Sequence, residues 1–155
     1  MLIDLVAGDA REILLALSLE DWDALDDRRR FDAHIALGAG EELEWLDRFA
    51  ESVRVVIAGT EPRPFDESRH SLKGSPSSAD ERIVERVNPE WVRAVAAVPD
   101  ELLDRVSARW VDLVAADGRE LEPDEWQAFR AAAADLVGFC RDALVAEDVL
   151  VAWEI

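Results

Sequence analysis

The sequence contains a single cysteine and no long apolar run, and both features limit where the protein can reside. Cys140 is the only cysteine among 155 residues, so the chain cannot form an internal disulfide. No stretch reaches the roughly 18 consecutive apolar residues of a membrane-spanning helix. Asp4 stands where a secretory signal peptide would be basic. These features predict a cytoplasmic protein that does not enter a membrane.

Motifs with a fixed chemistry are also lacking. No Gly-x-Ser-x-Gly segment marks a nucleophile, and residues 38–40 (Gly-Ala-Gly) lack the third glycine of a dinucleotide-binding loop. The only two histidines, His34 and His70, stand outside any HxxxH or HExxH pattern, whereas zinc needs three or four ligands. We therefore expect neither a metal nor another cofactor.

Acidic residues are frequent in the segment 21–32, but their pattern does not fit a calcium site. A calcium loop that began at Asp21 would place Leu25 and Asp26 where the loop needs an oxygen ligand and a glycine. Asp26 and Arg30 are four residues apart, which is the spacing of an ion pair on a helix. We interpret the charged segment as the solvated face of a helix.

The chain is strongly acidic, because 35 Asp and Glu against 17 Lys and Arg give a formal net charge of −18. Nucleic acids and anionic membranes attract basic proteins, so neither is expected as a partner. Half of the residues are hydrophobic, which is too many for a disordered acidic protein. Arginine supplies 16 of the 17 basic residues, a bias typical of bacterial genomes rich in G and C.

Capping residues and apolar periodicity predict an α+β fold that is mostly helical, in one domain over 1–155. The predicted strands are 1–6, 82–87 and 149–155, and the two terminal strands can pair to close a small sheet. The predicted helices are 9–17, a short helix with Trp22 and Leu25, 41–58, and helices that begin near Asn88, Pro99 and Pro123. The six tryptophans mostly have apolar neighbours at helical spacing and are assigned to the core.

Residues 59–80 differ from the rest of the chain. The segment holds three prolines and five serines and is close to neutral, so we predict a flexible loop. It also carries Arg69, His70 and Lys73, the only lysine, which form a small basic group in an acidic protein. These three side chains are candidate contacts for an anion or for a protein partner.

His34 and Cys140 are two further residues whose side chains can take part in chemistry. His34 lies in the apolar run 31–37, where we expect a hydrogen-bonded histidine at the edge of the core. A contact to an anion or a partner is the alternative for His34. Cys140 falls on the apolar stripe of the last predicted helix, so we expect a buried and unreactive thiol.

The second half of the chain carries a recognisable series of segments: 87–92 (Val-Asn-Pro-Glu-Trp-Val), a helix over 102–114, Phe139 and Ala143 on a later helix, and 149–151 (Val-Leu-Val). This series resembles the YfbM-like family of bacterial proteins, which has its own loop where this chain has the Pro-rich loop with Arg69. In the first half, the segment around His34 lacks the preceding tryptophan of that pattern, and Phe31 is the nearest aromatic residue. The resemblance implies a mixed α+β domain of cytoplasmic type and brings no activity with it.

Two classes of function follow from these observations. The first is a non-enzymatic protein-binding module of the immunity-protein or antitoxin kind, whose acidic surface docks a basic protein partner. The alternative is a small-molecule or metal-dependent enzyme with a pocket near His34, beneath the 59–80 loop. A self-associating scaffold is a third interpretation. The charge and the lack of a catalytic motif favour the first.

Overall fold

Antiparallel strands form one sheet that runs through the protein. The computed structural model describes residues 3–37, 44–57, 69–71 and 82–154. The strands of this part of the chain are β1 (Ile3–Gly8), β2 (Ala33–Leu37), β3 (Arg69–Ser71), β4 (Arg82–Val87) and β5 (Asp148–Glu154). Their spatial order is β2-β1-β5-β4-β3, and every neighbouring pair is antiparallel. The terminal strands β1 and β5 therefore pair directly.

Helices cover both faces of this sheet. They are α1 (Ala10–Ser18), α2 (Trp22–Leu25), α3 (Glu44–Val56), α4 (Pro89–Ala96), α5 (Leu103–Ala116) and α6 (Pro123–Ala143). A 3₁₀ turn at Asp100–Leu102 leads into α5. Asn88 caps α4 by accepting a hydrogen bond from the backbone N–H of Glu90 at 2.9 Å, and Pro89 occupies the first turn. The α+β fold class, mostly helical with a small sheet that uses both terminal strands, is confirmed.

The two faces of the sheet pack against different helices. Ile3 and Leu5 of β1 belong to the larger core, which also contains buried residues of α3, α4, α5 and α6. Val6 belongs to a second, smaller core together with Ile13 of α1 and Leu25 of α2. Because side chains alternate along a strand, neighbouring residues of β1 serve different cores. The sheet is thus a middle layer, with α1 and α2 on one side and the longer helices on the other.

The end of α1 has an unusual residue for its conformation. Glu20 follows the helix with a φ of 53°, in the left-handed region that favours glycine. Its backbone N–H donates to the carbonyl of Leu17 at 3.2 Å, and the N–H of Asp21 donates to the carbonyl of Ala16 at 3.0 Å. This pair of hydrogen bonds is a Schellman motif, which closes a helix and normally contains a glycine.

The helix predicted for the charged segment 26–32 is wrong, because this segment forms turns. The carboxylate of Asp27 accepts the backbone N–H of Arg29 at 3.0 Å, a local hydrogen bond that competes with helix formation. Asp26 and Arg30 do not share the predicted ion pair. Arg30 instead pairs with Glu12 of α1 at 3.5 Å, and Asp26 turns toward β2.

Two tryptophans depart from the predicted core location. Four lie in the larger core or against it: Trp45, Trp91, Trp110 and Trp153. Trp22 and Trp126 are exposed, and Trp126 keeps 52% of its surface accessible. Trp126 belongs to the predicted apolar stripe of α6, but it lies in the first turn, which borders an open cleft beside the end of α5.

Most of the predicted 59–80 loop lies outside the described residues. The structure describes residues 69–71 of this segment, which form β3 and pair with β4 in the register Arg69↔Val87. The flexibility of the loop stays a prediction, and so does the single domain over 1–155. Residues 41–43 and 58 of the predicted helix 41–58 also lie outside the described residues, and the described helix α3 ends at Val56, one residue before Ile57.

Candidate functional site

His34 lies on β2, where its side chain faces the small layer of α1 and α2. His34 is directly opposite Val6 of β1, and Asp4 lies two residues from Val6 on the same face of the strand. The turn after α2 brings Asp26 to the other side of the imidazole. We refer to Asp4, Asp26 and His34 as the His34 cluster.

Both ring nitrogens of His34 contact a carboxylate. The distance from Nε2 to Oδ1 of Asp4 is 2.9 Å, and the distance from Nδ1 to Oδ1 of Asp26 is 2.7 Å. An ionised carboxylate only accepts hydrogen bonds, and a neutral imidazole has a single N–H to donate. Both hydrogen bonds therefore form together only when His34 is a cation that donates from each nitrogen.

The two carboxylates also change the pKa of His34. Burial is the largest single influence and by itself lowers this pKa, because the side chain is only 9% exposed. The hydrogen bonds to Asp4 and then to Asp26, with the attraction of both charges, outweigh burial and raise the pKa above 6.5. Asp4 is 13% exposed and Asp26 is 73% exposed, so Asp4 is the partner that is shielded from water.

This arrangement agrees with a hydrogen-bonded histidine at the edge of the core. Neither nitrogen is available to bind a metal or to take a proton from a substrate without losing a carboxylate partner. Within the ranges that the structure describes, no group of three or more His, Cys, Asp or Glu side chains is placed to hold a metal. The His34 cluster therefore joins β1, β2 and the end of α2.

The structure does not bring the other predicted site residues to His34. Arg69 and His70 belong to β3, and β2 and β3 are the opposite edges of the sheet. Four spacings between neighbouring strands separate these edges, or roughly 19 Å. Lys73 lies outside the described residues. Cys140 is fully buried, as predicted, and burial raises the pKa of its thiol.

A different site lies between the end of α5 and the beginning of α6. An open cleft of about 590 Å³ is lined there by Val111, Asp112, Ala115, Gly118, Arg119, Glu120, Leu121, Glu122 and Trp126. We call it the Trp126 cleft. Its volume lies within the usual range for ligand-binding clefts, which is roughly 300–1,000 Å³. Apolar side chains thus line the cleft together with three carboxylates and one arginine, Arg119.

An aromatic cluster adjoins this cleft through Arg119. The ring of Phe129 in α6 lies 4.9 Å from Trp45 and 4.7 Å from Trp110, measured between centroids. The indole N–H of Trp110 also donates to the carbonyl of Trp45 at 2.7 Å. Arg119 covers the Trp45 ring, with its guanidinium carbon 4.6 Å from the centroid, and it pairs with Glu125 at 3.6 Å. An arginine of the chain itself therefore stacks on a tryptophan beside the cleft.

The charge of this region is strongly negative. Between Asp112 and Glu125 the sequence holds six carboxylates and one arginine. Two of the carboxylates form an ion pair with an arginine. Asp117 accepts two hydrogen bonds of 2.9 Å from Arg48, and Glu125 pairs with Arg119. The three that line the cleft have no ion pair among the residues that the structure describes: Asp112, Glu120 and Glu122.

A smaller cleft of about 120 Å³ lies between the beginning of α4 and the end of α6. Arg86 and Asp148 form part of its lining and pair with each other at 3.0 Å. His34 lines neither cleft. Among the described residues, no helix combines the length and the apolar composition that crossing a membrane requires.

The sequence-based predictions missed the most informative residues of both sites. Asp4 was available as a signal, because a carboxylate at an alternate position of an apolar strand needs a partner. A helix over this segment predicts Arg30 as the partner of Asp26, whereas the observed partner is His34. Trp126 was assigned to the core from its spacing, and only its place in the first turn of α6 indicated exposure.

Comparison with known proteins found no match to this chain among protein-family models, curated proteins or solved structures. The resemblance of the second half to the YfbM-like family stays a prediction.

Proposed function

We propose that this protein is a non-enzymatic binding module that docks a basic protein partner at the Trp126 cleft, in the bacterial cytoplasm. The observation that carries this proposal is a half-exposed tryptophan beside carboxylates that have no ion pair in the described part of the chain. Interfaces draw much of their affinity from exposed aromatic residues in well-packed pockets. The carboxylates supply the charge that selects a basic partner.

The net charge of −18 adds a long-range effect to this local one. A strongly charged protein attracts an oppositely charged partner, which raises the association rate and disfavours partners of its own sign. The same charge repels nucleic acid, and we extend the proposal to exclude it as a partner. Immunity proteins and antitoxins are the class of binding protein that this combination fits.

A salt-sensitive binding assay tests the proposal. The probe is a fluorescein-labelled peptide of eight alternating lysines and arginines, and its anisotropy is measured against the full chain at about 50 mM NaCl, where electrostatic contacts are weakly screened. The variant Asp112→Asn/Glu120→Gln removes two charges from the cleft. We expect it to weaken binding about 10-fold, which corresponds to about 1.4 kcal/mol.

The control variant removes two charges elsewhere. Asp135 and Asp142 are exposed on α6, do not line the cleft, and have no ion pair among the described residues. Asp135→Asn/Asp142→Asn therefore has the same net charge as the cleft variant, and we expect it to change the affinity by less than about 2-fold. Equal losses in the two variants, or no binding of the peptide at all, would refute the cleft as the docking site.

A further inference from the structure

We infer that the group recognised in the Trp126 cleft is an arginine side chain of the basic partner, stacked on the Trp126 indole and paired with Asp112, Glu120 or Glu122. This inference rests on the proposed function and identifies the chemistry of the ligand at the same site. The inference predicts that the cleft binds a guanidinium more tightly than an ammonium group. A surface that acted through charge alone would show no such preference.

The first argument is the composition of the cleft. Trp126 is 52% exposed, and in the described part of the chain its ring has no stacking or hydrogen-bond partner. A planar guanidinium stacks on an aromatic face and can donate two parallel hydrogen bonds to a carboxylate. A lysine ammonium is more strongly hydrated and lacks the planar shape, so it gains less from the indole.

The second argument is the arrangement next to the cleft. Arg119 stacks on Trp45 at 4.6 Å and pairs with Glu125 at 3.6 Å, so the chain already combines a guanidinium, an indole and a carboxylate there. Trp126 and the three cleft carboxylates provide an indole and carboxylates of the same kind. Arg119 also lines the cleft, but it contacts Trp45 and Glu125, and no described cation pairs with Asp112, Glu120 or Glu122.

A second copy of this chain is a less suitable source of that cation. Its residues 28–30 are three exposed arginines, but each copy carries a net charge of −18. Two such molecules repel each other at low salt, whereas a basic partner is attracted. The occupant that the charges favour is therefore an arginine of a different, basic protein.

The experiment compares two peptides of equal charge, octa-arginine and octa-lysine, at one salt concentration. We expect the wild-type chain to bind octa-arginine about 3- to 10-fold more tightly, because a planar guanidinium gains more than an ammonium from stacking on the indole. In Trp126→Leu this ratio should fall toward 1, with any remaining preference coming from hydrogen bonds to the carboxylates, and Trp126→Phe should give an intermediate ratio. The indole N–H resonance of Trp126, assigned by its loss in Trp126→Phe, should shift with octa-arginine.

Each outcome separates this inference from the proposed function. If the two peptides bind equally and Trp126→Leu leaves the ratio unchanged, the inference is wrong while docking of a basic partner stands. If neither peptide depends on the cleft carboxylates, the proposed function itself fails. Concentration-dependent light scattering that disappears in Trp126→Leu would show that a second copy occupies the cleft and would also overturn the inference.

Discussion

The His34 cluster and the Trp126 cleft are both rich in carboxylates, but they differ in where the compensating cation comes from. In the His34 cluster, Asp4 and Asp26 have the imidazole of His34 between them, at 2.9 and 2.7 Å. In the cleft, Asp112 and Glu120 are exposed and have no ion pair among the described residues. The carboxylates of the His34 cluster are thus paired with a side chain of the same molecule, whereas Asp112 and Glu120 face the solvent.

The placement of the arginines strengthens this contrast. Among the described residues, arginines pair with carboxylates that hold elements together: Arg48 with Asp117, Arg141 with Asp100, Arg130 with Asp104, and Arg86 with Asp148. None of these pairs reaches the cleft carboxylates. Acidic residues of this protein therefore fall into two groups, those paired with an arginine or histidine and those without an ion pair among the described residues.

The largest expected effect concerns the His34 cluster, whose charges are paired within the chain. Asp4→Ala removes the shielded partner of His34, and the hydrogen bond of a mostly buried charged group is worth about 1.5–3 kcal/mol. We expect this variant to lower the free energy of unfolding by about 2–3 kcal/mol at pH 6, measured by urea unfolding. Asp26→Ala, which removes a partner that is 73% exposed, should cost less than about 1 kcal/mol. Equal costs for the two variants would contradict the assigned difference in shielding.

The second prediction concerns pH. His34 has a pKa that is raised above 6.5, so the folded chain holds this proton more tightly than the unfolded chain. The stabilisation is complete below about pH 6.5 and is lost as the pH rises through the folded pKa, with a slope of at most about 1.4 kcal/mol per pH unit.

Urea unfolding of the wild-type chain and of His34→Gln between pH 6 and 9 measures this effect. The difference between the two curves isolates His34 from His70 and from the N-terminus. We expect the stability of the wild type to decrease toward that of His34→Gln as the pH rises. A difference that stays constant, or grows with pH, is incompatible with a cationic His34.

The third prediction concerns Glu20, in the small layer that the His34 cluster attaches to the sheet. Its φ of 53° is unfavourable for any residue with a Cβ atom. Glu20→Gly should therefore raise the free energy of unfolding by about 0.5–1 kcal/mol. Glu20→Ala serves as the control, because it removes the charge and keeps the Cβ, so it should produce no such gain. A gain of the same size in both variants would assign the effect to charge.

Much of the fold could be predicted from local signals. Asn88 and Pro89 specify the start of α4, Pro123 the start of α6, and the alternation of residues 149–155 a strand. Each of these signals depends on residues within a few positions of one another. Propensity and capping act at this short range, which is why the starts of α4 and α6 and the position of β5 agree with the sequence. The local patterns predict no strand for β2 or β3, because these strands depend on pairing with a distant part of the chain.

The candidate sites could not be predicted in the same way. His34 meets Asp4 because β2 pairs with β1 in a particular register, and Asp4 is 30 residues away in the chain. Asp26 meets His34 because α2 ends at Leu25 and the chain turns there, with Asp26 as the C-cap, where the spacing predicted a helical face. Trp126 is exposed because it borders the cleft between the end of α5 and the beginning of α6. Register, turn formation and the position of a cleft between packed helices are tertiary properties, and no local pattern reports them.

The smallest expected effect concerns the carboxylates of the Trp126 cleft. Carboxylates that are exposed and unpaired in the described chain contribute little to folding, and in a protein of charge −18 they mainly repel one another. Asp112→Asn/Glu120→Gln should therefore change the free energy of unfolding by less than about 0.5 kcal/mol, and toward higher stability.

Urea unfolding at about 50 mM NaCl makes this measurement at a salt concentration where the repulsion is weakly screened, with Asp135→Asn/Asp142→Asn as the control of equal charge. The two variants should be equally stable even though we expect them to differ about 10-fold in binding the basic peptide. A loss of more than about 1 kcal/mol in the cleft variant alone would mean that its carboxylates hold the turn together. The cleft would then resemble the His34 cluster, and its weaker binding would reflect damage to the fold instead of a lost contact.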